Sequence, residues 1–133
     1  KNAKCKAFYS AEQNGLTLPW GTWTWCNPPY SAIKDWFRKA VSEQEKGNYS
    51  VLLTFARTDT RAFHSYAREA SEIIFLQGRI KFLHPETLEQ TDPAPAPSMV
   101  CIFGESNNRQ VYFGIDEWGA SRVSGGAESK TID

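Results

Sequence analysis

A chain of 133 residues, 41% hydrophobic and 14% aromatic, is long enough to bury one core and too short for several. Fifteen Lys and Arg balance fifteen Asp and Glu, so no global charge marks a polyanionic partner, although a local basic face stays open. Cys5, Cys26 and Cys101 are odd in number, widely spaced and never in a Cys-x-x-Cys pattern, which argues against a disulfide framework and a zinc site and for a reducing, cytoplasmic setting.

The opening stretch KNAKCKAFYSAEQNG has neither a start signal nor a strand of its own, and the expectation is a chain that begins inside something longer. No apolar run reaches the roughly 18 residues of a membrane span, and no charged-then-apolar leader precedes it. TWTWC (22–26) is β-branched and aromatic, the composition of a strand, and it runs straight into Asn-Pro-Pro-Tyr. Neither proline can donate to a ladder, so the strand ends there. From Ser31 a helix is expected. Ile33, Trp36, Phe37, Ala40 and Val41 recur at helical spacing, Ser31 is its cap, and Gly47 with Asn48 stops it.

VLLTFA (51–56) is a near-continuous apolar run, the pattern of a strand covered on both faces in a parallel sheet. Thr58, Asp59 or Thr60 is placed to cap a second helix over 61–70, with Phe63, Ala67 and Ala70 inward. EIIFLQ (72–77) and SMVCIF (98–103) read as further strands, and RQVYFGI (109–115) as a fifth. The polar, proline-rich segment 84–97 between them reads as a loop, either mobile or a flap that contacts a partner. Residues 116–133 lack periodicity and read as a flexible tail. Strands alternating with helices predict an α/β fold with a mostly parallel, doubly wound sheet and an antiparallel edge. In such sheets ligands bind beyond the carboxyl ends of the strands, which is where both NPPY and RTDTR fall.

The Asn-Pro-Pro-Tyr corner has a chemical reading. The Asn27 amide oxygen accepts hydrogen bonds and never titrates, and Pro28 leaves a free carbonyl on a fixed backbone. Two acceptors aimed at one point suit a group with two N–H donors, such as the exocyclic amine of adenine. Tyr30 adds a flat face on which a base stacks, worth about 1–3 kcal/mol. The plainer alternative is a proline turn between strand and helix, with Tyr30 as ordinary packing. From residue usage, even a relaxed form of the pattern is expected by chance in well under about one per cent of chains this long, and its position after a strand adds to the functional reading.

Four ordered blocks, WCNPPYS (25–31), ARTDTRAFH (56–64), GRIKF (78–82) and PSMVCIF (97–103), resemble those of the phage-type DNA adenine methyltransferases, and the resemblance runs over about residues 2–103. It implies a Rossmann-like methyltransferase domain over 1–115, S-adenosylmethionine as donor, and the exocyclic amine of a flipped adenine in DNA as acceptor. It also implies a phage or prophage gene and an enzyme working in the cytoplasm of a bacterial host. Asn27, Pro28, Pro29 and Tyr30 would be the catalytic corner, with Asn27 and the Pro28 carbonyl accepting the amine hydrogens and Tyr30 holding the ring. No general base is required, since alignment and oriented dipoles lower the barrier, so neither histidine is needed.

In RTDTR, Arg57 and Arg61 would contact phosphate or the flipped nucleotide while Asp59 fixes one of them. The alternative is a helix start capped by Asp59 with two solvated arginines. In GRIKF, Arg79 and Lys81 share one side of a strand, either a basic edge facing DNA or a plain half-buried edge. His64 either points toward the site or is a surface or satisfied core histidine. His84 opens the loop and carries no signal by itself.

One departure bears on the donor. The resembled family carries a segment ahead of these blocks with the first strand and much of the donor pocket, and this chain has no glycine-rich turn after an opening strand. The fold is therefore expected without its N-terminal portion, no donor-binding residue is named, and no metal is expected. Alternatives are a truncated or non-catalytic nucleic-acid-binding relative, and an amine methyltransferase acting on RNA or on glutamine in proteins.

Overall fold

The computed structural model describes residues 5–105, 109–116 and 120–125, the last two segments by their backbone. It is a mixed α/β fold. The first unit is β1 (Trp23–Cys26), a single 3-10 turn at Tyr30–Ala32, α1 (Ile33–Glu45) and β2 (Tyr49–Phe55), with β1 and β2 adjacent and parallel. There follow α2 (Arg61–Ser65), a 3-10 turn at Ala67–Glu69, β3 (Glu72–Leu76), β4 (Lys81–Leu83), β5 (Gln90–Pro93), β6 (Ser98–Phe103), β7 (Arg109–Asp116) and β8 (Ala120–Gly125).

Six strands form one sheet in the order β1-β2-β6-β3-β7-β8, and β4 pairs with β5 in a separate two-stranded ribbon. The expected mostly parallel sheet with an antiparallel edge is corrected here. Only β1 with β2 and β3 with β7 pair in parallel. The other three pairings in this sheet are antiparallel, and antiparallel β6 lies in the middle, between β2 and β3. The connection explains it. Parallel neighbours need a crossover of a dozen or more residues, usually helical, and β3 is joined to β6 by a hairpin. Within the expected loop 84–97 that hairpin holds β5. Its one proline, Pro93, is tolerated because a two-stranded ribbon leaves one side of each strand unpaired. The segment read as a tail contributes β8, paired with β7, while 117–119 and 126–133 lie outside the described residues.

α1 buries Ile33, Phe37 and Ala40 as its spacing predicted, with Trp36 and Val41 packed beside them. Its start differs from expectation, for Ser31 makes no cap. The Ala32 N–H donates to the Pro29 carbonyl at 3.2 Å and the 3-10 turn leads into the helix. Gly47 ends it at φ +86, a left-handed conformation that costs glycine nothing. At this end Glu43 is 1% exposed and accepts from Lys39 at 2.9 Å, Lys46 at 3.3 Å and Asn48 at 2.8 Å. Gln44 ties the helix to the sheet, accepting from the Gly104 N–H at 2.7 Å and donating to the Glu69 carbonyl at 3.2 Å.

The core lies where α1, α2 and the second 3-10 turn meet Leu52, Ile73, Met99, Cys101 and Phe103 on one sheet face. β2 alternates strictly: Ser50, Leu52 and Thr54 are buried, and Tyr49, Val51, Leu53 and Phe55 half-buried. The reading of 51–56 as covered on both faces is thus not met among the described residues, whose helices pack on one face. On β1, Trp23 stacks on Tyr49 with ring centroids 4.5 Å apart, yet Trp23 and Trp25 remain 69% and 64% exposed.

The helix expected over 61–70 breaks at Tyr66, which leaves helical dihedrals while its ring packs against the core. Ala67 and Ala70 are buried as expected. Among the described residues the three cysteines are free, no His, Cys, Asp and Glu group is arranged to hold a metal, and no helix is long and apolar enough to cross a membrane.

Candidate active site

The site follows from strand direction. β1 and β2 are parallel, so their carboxyl ends, Cys26 and Phe55, lie at one end of the sheet, and antiparallel β6 brings its first residue, Ser98, opposite Phe55. The Ala56 N–H donates to the Pro97 carbonyl at 2.8 Å and closes that end. Beyond Cys26 the two prolines turn the chain, Pro29 standing at φ −63 and ψ 132 immediately before the 3-10 turn that carries Tyr30.

A pocket of about 170 Å³ opens at this end, lined by Asn27, Pro28, Tyr30, Leu53, Thr54, Phe55, Phe82 and Ser98. Pro28 is buried, Tyr30 half-buried and Asn27 exposed. Pro29 is exposed and does not line the pocket. Its carbonyl is occupied by the Ala32 N–H, which leaves it the task of shaping the turn. The Tyr30 ring leans on Phe55 at 5.2 Å, with the planes 43° apart.

Of the basic residues read from the sequence, Arg57 comes to the corner. Its guanidinium lies 5.6 Å from the Tyr30 ring and 5.8 Å from the Phe55 ring. Burial raises the Tyr30 hydroxyl above its usual range, Arg57 pulls it back and Asp59 raises it, so both loop charges act on this ring. Asp59 is not the helix cap. Thr60 is, its Oγ1 accepting from the Phe63 N–H at 3.2 Å and donating to the Arg57 carbonyl at 2.8 Å. His64 braces the same loop from outside, its Nε2 2.8 Å from the Thr58 carbonyl oxygen.

Arg61 is exposed on the first turn of α2. Arg79 donates to the Ala94 carbonyl at 3.3 Å and Lys81 lies opposite Pro93 in the ribbon, and neither lines the pocket. From that block it is Phe82 that does. Cys26, next to the corner, is pushed up by burial to about 12 and stays a neutral thiol, which removes it as a nucleophile at physiological pH.

Leu53, Thr54, Phe55, Phe82 and Ser98 were not among the sequence-predicted site residues. A signal was present for two of them. Phe82 sits in GRIKF and Ser98 in PSMVCIF, so three of the four resembled blocks each put side chains into one pocket, and the remaining block lays Arg57 over its Tyr30. The face of a flat ring, two hydroxyls and an amide around an apolar slot can hold and orient a planar group that carries an amine.

Residues 1–121 match the family model described as DNA N-6-adenine-methyltransferase (Dam). Among individual proteins, the chain is 36% identical over 105 residues to a DNA N-6-adenine-methyltransferase of Haemophilus phage HP1 (strain HP1c1), a match covering 77% of this chain and 61% of that protein. It is 30% identical over 128 residues to a DNA N-6-adenine-methyltransferase of Escherichia phage T1, covering 84% of this chain and 54% of the relative. The chain thus spans a little over half the length of the curated relatives it matches.

Proposed function

The chain belongs to the DNA N-6-adenine-methyltransferase (Dam) family, and from that membership we propose that it takes part in methyl transfer to the exocyclic amine of adenine in DNA. One observation carries the reading beyond membership: Asn27, Pro28 and Tyr30 line a single pocket at the carboxyl end of β1. The adenine leaves the base stack to enter it, at a cost of a few kcal/mol. Tyr30 takes its ring. Asn27 Oδ1 and the Pro28 carbonyl accept the two amine hydrogens, which turns the nitrogen lone pair outward and raises its nucleophilicity. The Pro28 carbonyl is fixed by the proline corner before the base arrives, so that dipole needs no reorganisation during the reaction. Arg57, Arg61, Arg79 and Lys81 serve the phosphates, with Asp59 holding the RTDTR loop, and Arg57 also caps the stack. Pro29 fixes the turn.

The donor in this reading is S-adenosylmethionine, which supplies an electrophilic methyl group when bound. The pocket does not fit it together with a base. About 170 Å³ is below the roughly 300–1,000 Å³ of sites that enclose a whole drug-sized ligand, so its size suits one planar ring, and no residue is assigned to hold the donor. The sheet is then read as part of a Rossmann-like methyltransferase fold whose domain runs past the expected boundary at 115 to take in β8, working in the cytoplasm of a bacterial host.

The test is transfer of a radiolabelled methyl group from S-adenosylmethionine to DNA, RNA and a protein mixture in parallel. Label in DNA, recovered as N6-methyladenine, is the expected result. Label in RNA or in protein glutamine instead would replace the substrate. The base-sized pocket also favours a second reading, nucleic-acid binding without transfer, and in that case DNA is retained and no label moves.

A further inference from the structure

We propose that Ser98, the first residue of β6, is a specificity-determining residue of this pocket, its hydroxyl donating a hydrogen bond to a ring nitrogen of the bound base. The inference rests on the base-binding reading above and adds a contact on the ring to those on its amine. Three observations lead to it. Ser98 is 3% exposed and lines the pocket. Its hydroxyl makes no hydrogen bond to any described residue, whereas the other strand hydroxyl of the lining, Thr54, donates to the Phe55 carbonyl at 3.4 Å and is hydrogen-bonded to Cys101. The atom is also not sealed in. Trp36 Nε1 and Ser50 Oγ are the partnerless side-chain atoms shut off from solvent among the described residues, and Ser98 Oγ is not with them, so its unused donor opens on the pocket.

A hydroxyl buried without a partner gives up the bonds it made to water in the unfolded chain, and a ligand that accepts from it removes that cost. The backbone fixes where it stands. Ser98 pairs with Phe55 in the β2–β6 register, and the Ala56 N–H donates to the carbonyl of the preceding Pro97 at 2.8 Å. Because β2 lies between β1 and β6, Ser98 sits roughly two strand spacings, about 10 Å, across the sheet from the strand that leads into Asn27. It therefore approaches the ring from a different side than the amine contacts. The free ring nitrogens of adenine in DNA, N1, N3 and N7, all accept, and a serine hydroxyl is matched to them as a donor. A ring with C–H in that place leaves the hydroxyl unpaired again and is held less tightly.

The probe is a fluorescein-labelled single strand of abasic sites with one central adenine, read by anisotropy against the all-abasic strand and against strands carrying 1-deaza-, 3-deaza- or 7-deazaadenine. The unmodified chain is expected to prefer adenine, and one of the deaza bases to reduce its affinity about three- to tenfold, the scale of one hydrogen bond. Ser98→Ala is expected to lose the same factor on adenine and to bind that deaza base no worse than adenine. Ser98→Cys, which keeps the volume but is a weak donor, is expected to match it. Because the hydroxyl has no partner in the fold, the melting temperature of Ser98→Ala should hold or rise. A fall would assign the hydroxyl to the fold and overturn the inference. Adenine bound by Ser98→Ala as tightly as by the unmodified chain, or the full loss kept with every deaza base, overturns it too and leaves the corner standing. No preference of the unmodified chain for adenine over the abasic strand overturns the base-binding reading as well.

Discussion

The Arg57 guanidinium lies 5.6 Å from the centroid of the Tyr30 ring, which joins the loop after β2 to the corner after β1. A cation over an aromatic face at an exposed site contributes about 0.5–1 kcal/mol. Arg57→Ala is therefore expected to lower the melting temperature only slightly. If the same guanidinium also meets phosphate, the variant weakens DNA binding for all sequences alike and lowers the slope of log affinity against log salt by about 1. A slope identical to the unmodified chain would confine Arg57 to the rings. Arg61→Ala, Arg79→Ala and Lys81→Ala, measured alongside, read the phosphate role without that stack.

Asn27 is exposed at the pocket mouth, so Asn27→Ala is expected to leave stability within about 0.5 kcal/mol. Methyl transfer should fall about 10²–10³-fold, the scale of removing one oriented polar group from a transition state. Full transfer by this variant would sink the proposed role of the corner.

Thr60 and Asp59 separate a cap from a charge. Thr60→Ala removes the bond to the Phe63 N–H and is expected to cost about 1 kcal/mol in chemical denaturation. Asp59→Ala keeps that cap and is expected to cost much less, its effect falling instead on Tyr30, whose hydroxyl pKa drops when the neighbouring negative charge is removed.

Glu43 gives the fold an acid sensitivity. Burial alone would raise its pKa, but hydrogen bonds from Lys39, Asn48 and Lys46 outweigh this and lower it from 4.5 to about 2. Because the folded value is the lower one, its contribution is present above about pH 4.5 and is lost as the pH falls toward 2. The contribution is at most about 3 kcal/mol, and less to the extent that half-exposed Lys46 is screened by water. Denaturation midpoints measured from pH 6 to pH 2 should fall over that window, and Glu43→Gln should flatten the curve. An unaltered curve in the variant would assign the acid sensitivity to other carboxylates.

α1 and the strands β1, β2, β3, β6 and β7 were legible because their signals are local, whereas β5 and β8 were read as loop and tail. Apolar residues at helical spacing from Ile33 to Val41 mark the buried face of α1, and Trp23–Cys26 carries β-branched and aromatic residues up to a proline stop. Sheet order was not legible in the same way, because the direction of β6 depends on whether its connection to β3 contains a helix, and Gln90–Pro93 pairs as a strand despite its proline. The site was half legible. Asn27, Pro28 and Tyr30 are adjacent in sequence and chemically unusual together. Thr54 and Ser98 are ordinary strand residues that reach the pocket only through the register pairing Phe55 with Ser98. Thr58, Asp59 and Thr60 stood in a row as cap candidates, and Thr60 is the one whose side chain accepts from the Phe63 N–H.

The two exposed tryptophans of β1 make the protein its own optical probe. Trp25 lies two residues before Asn27, and with Trp23 it faces solvent, whereas Trp20 is buried and stacks on Trp36 at 6.2 Å. Exposed indoles emit at longer wavelength and are open to collisional quenchers such as iodide. With Trp118, which lies outside the described residues, replaced by phenylalanine, the red edge of the emission therefore reports on the strand that ends in the corner. Nucleic acid settling across that end of the sheet would shield these rings and shift their spectrum without any added label.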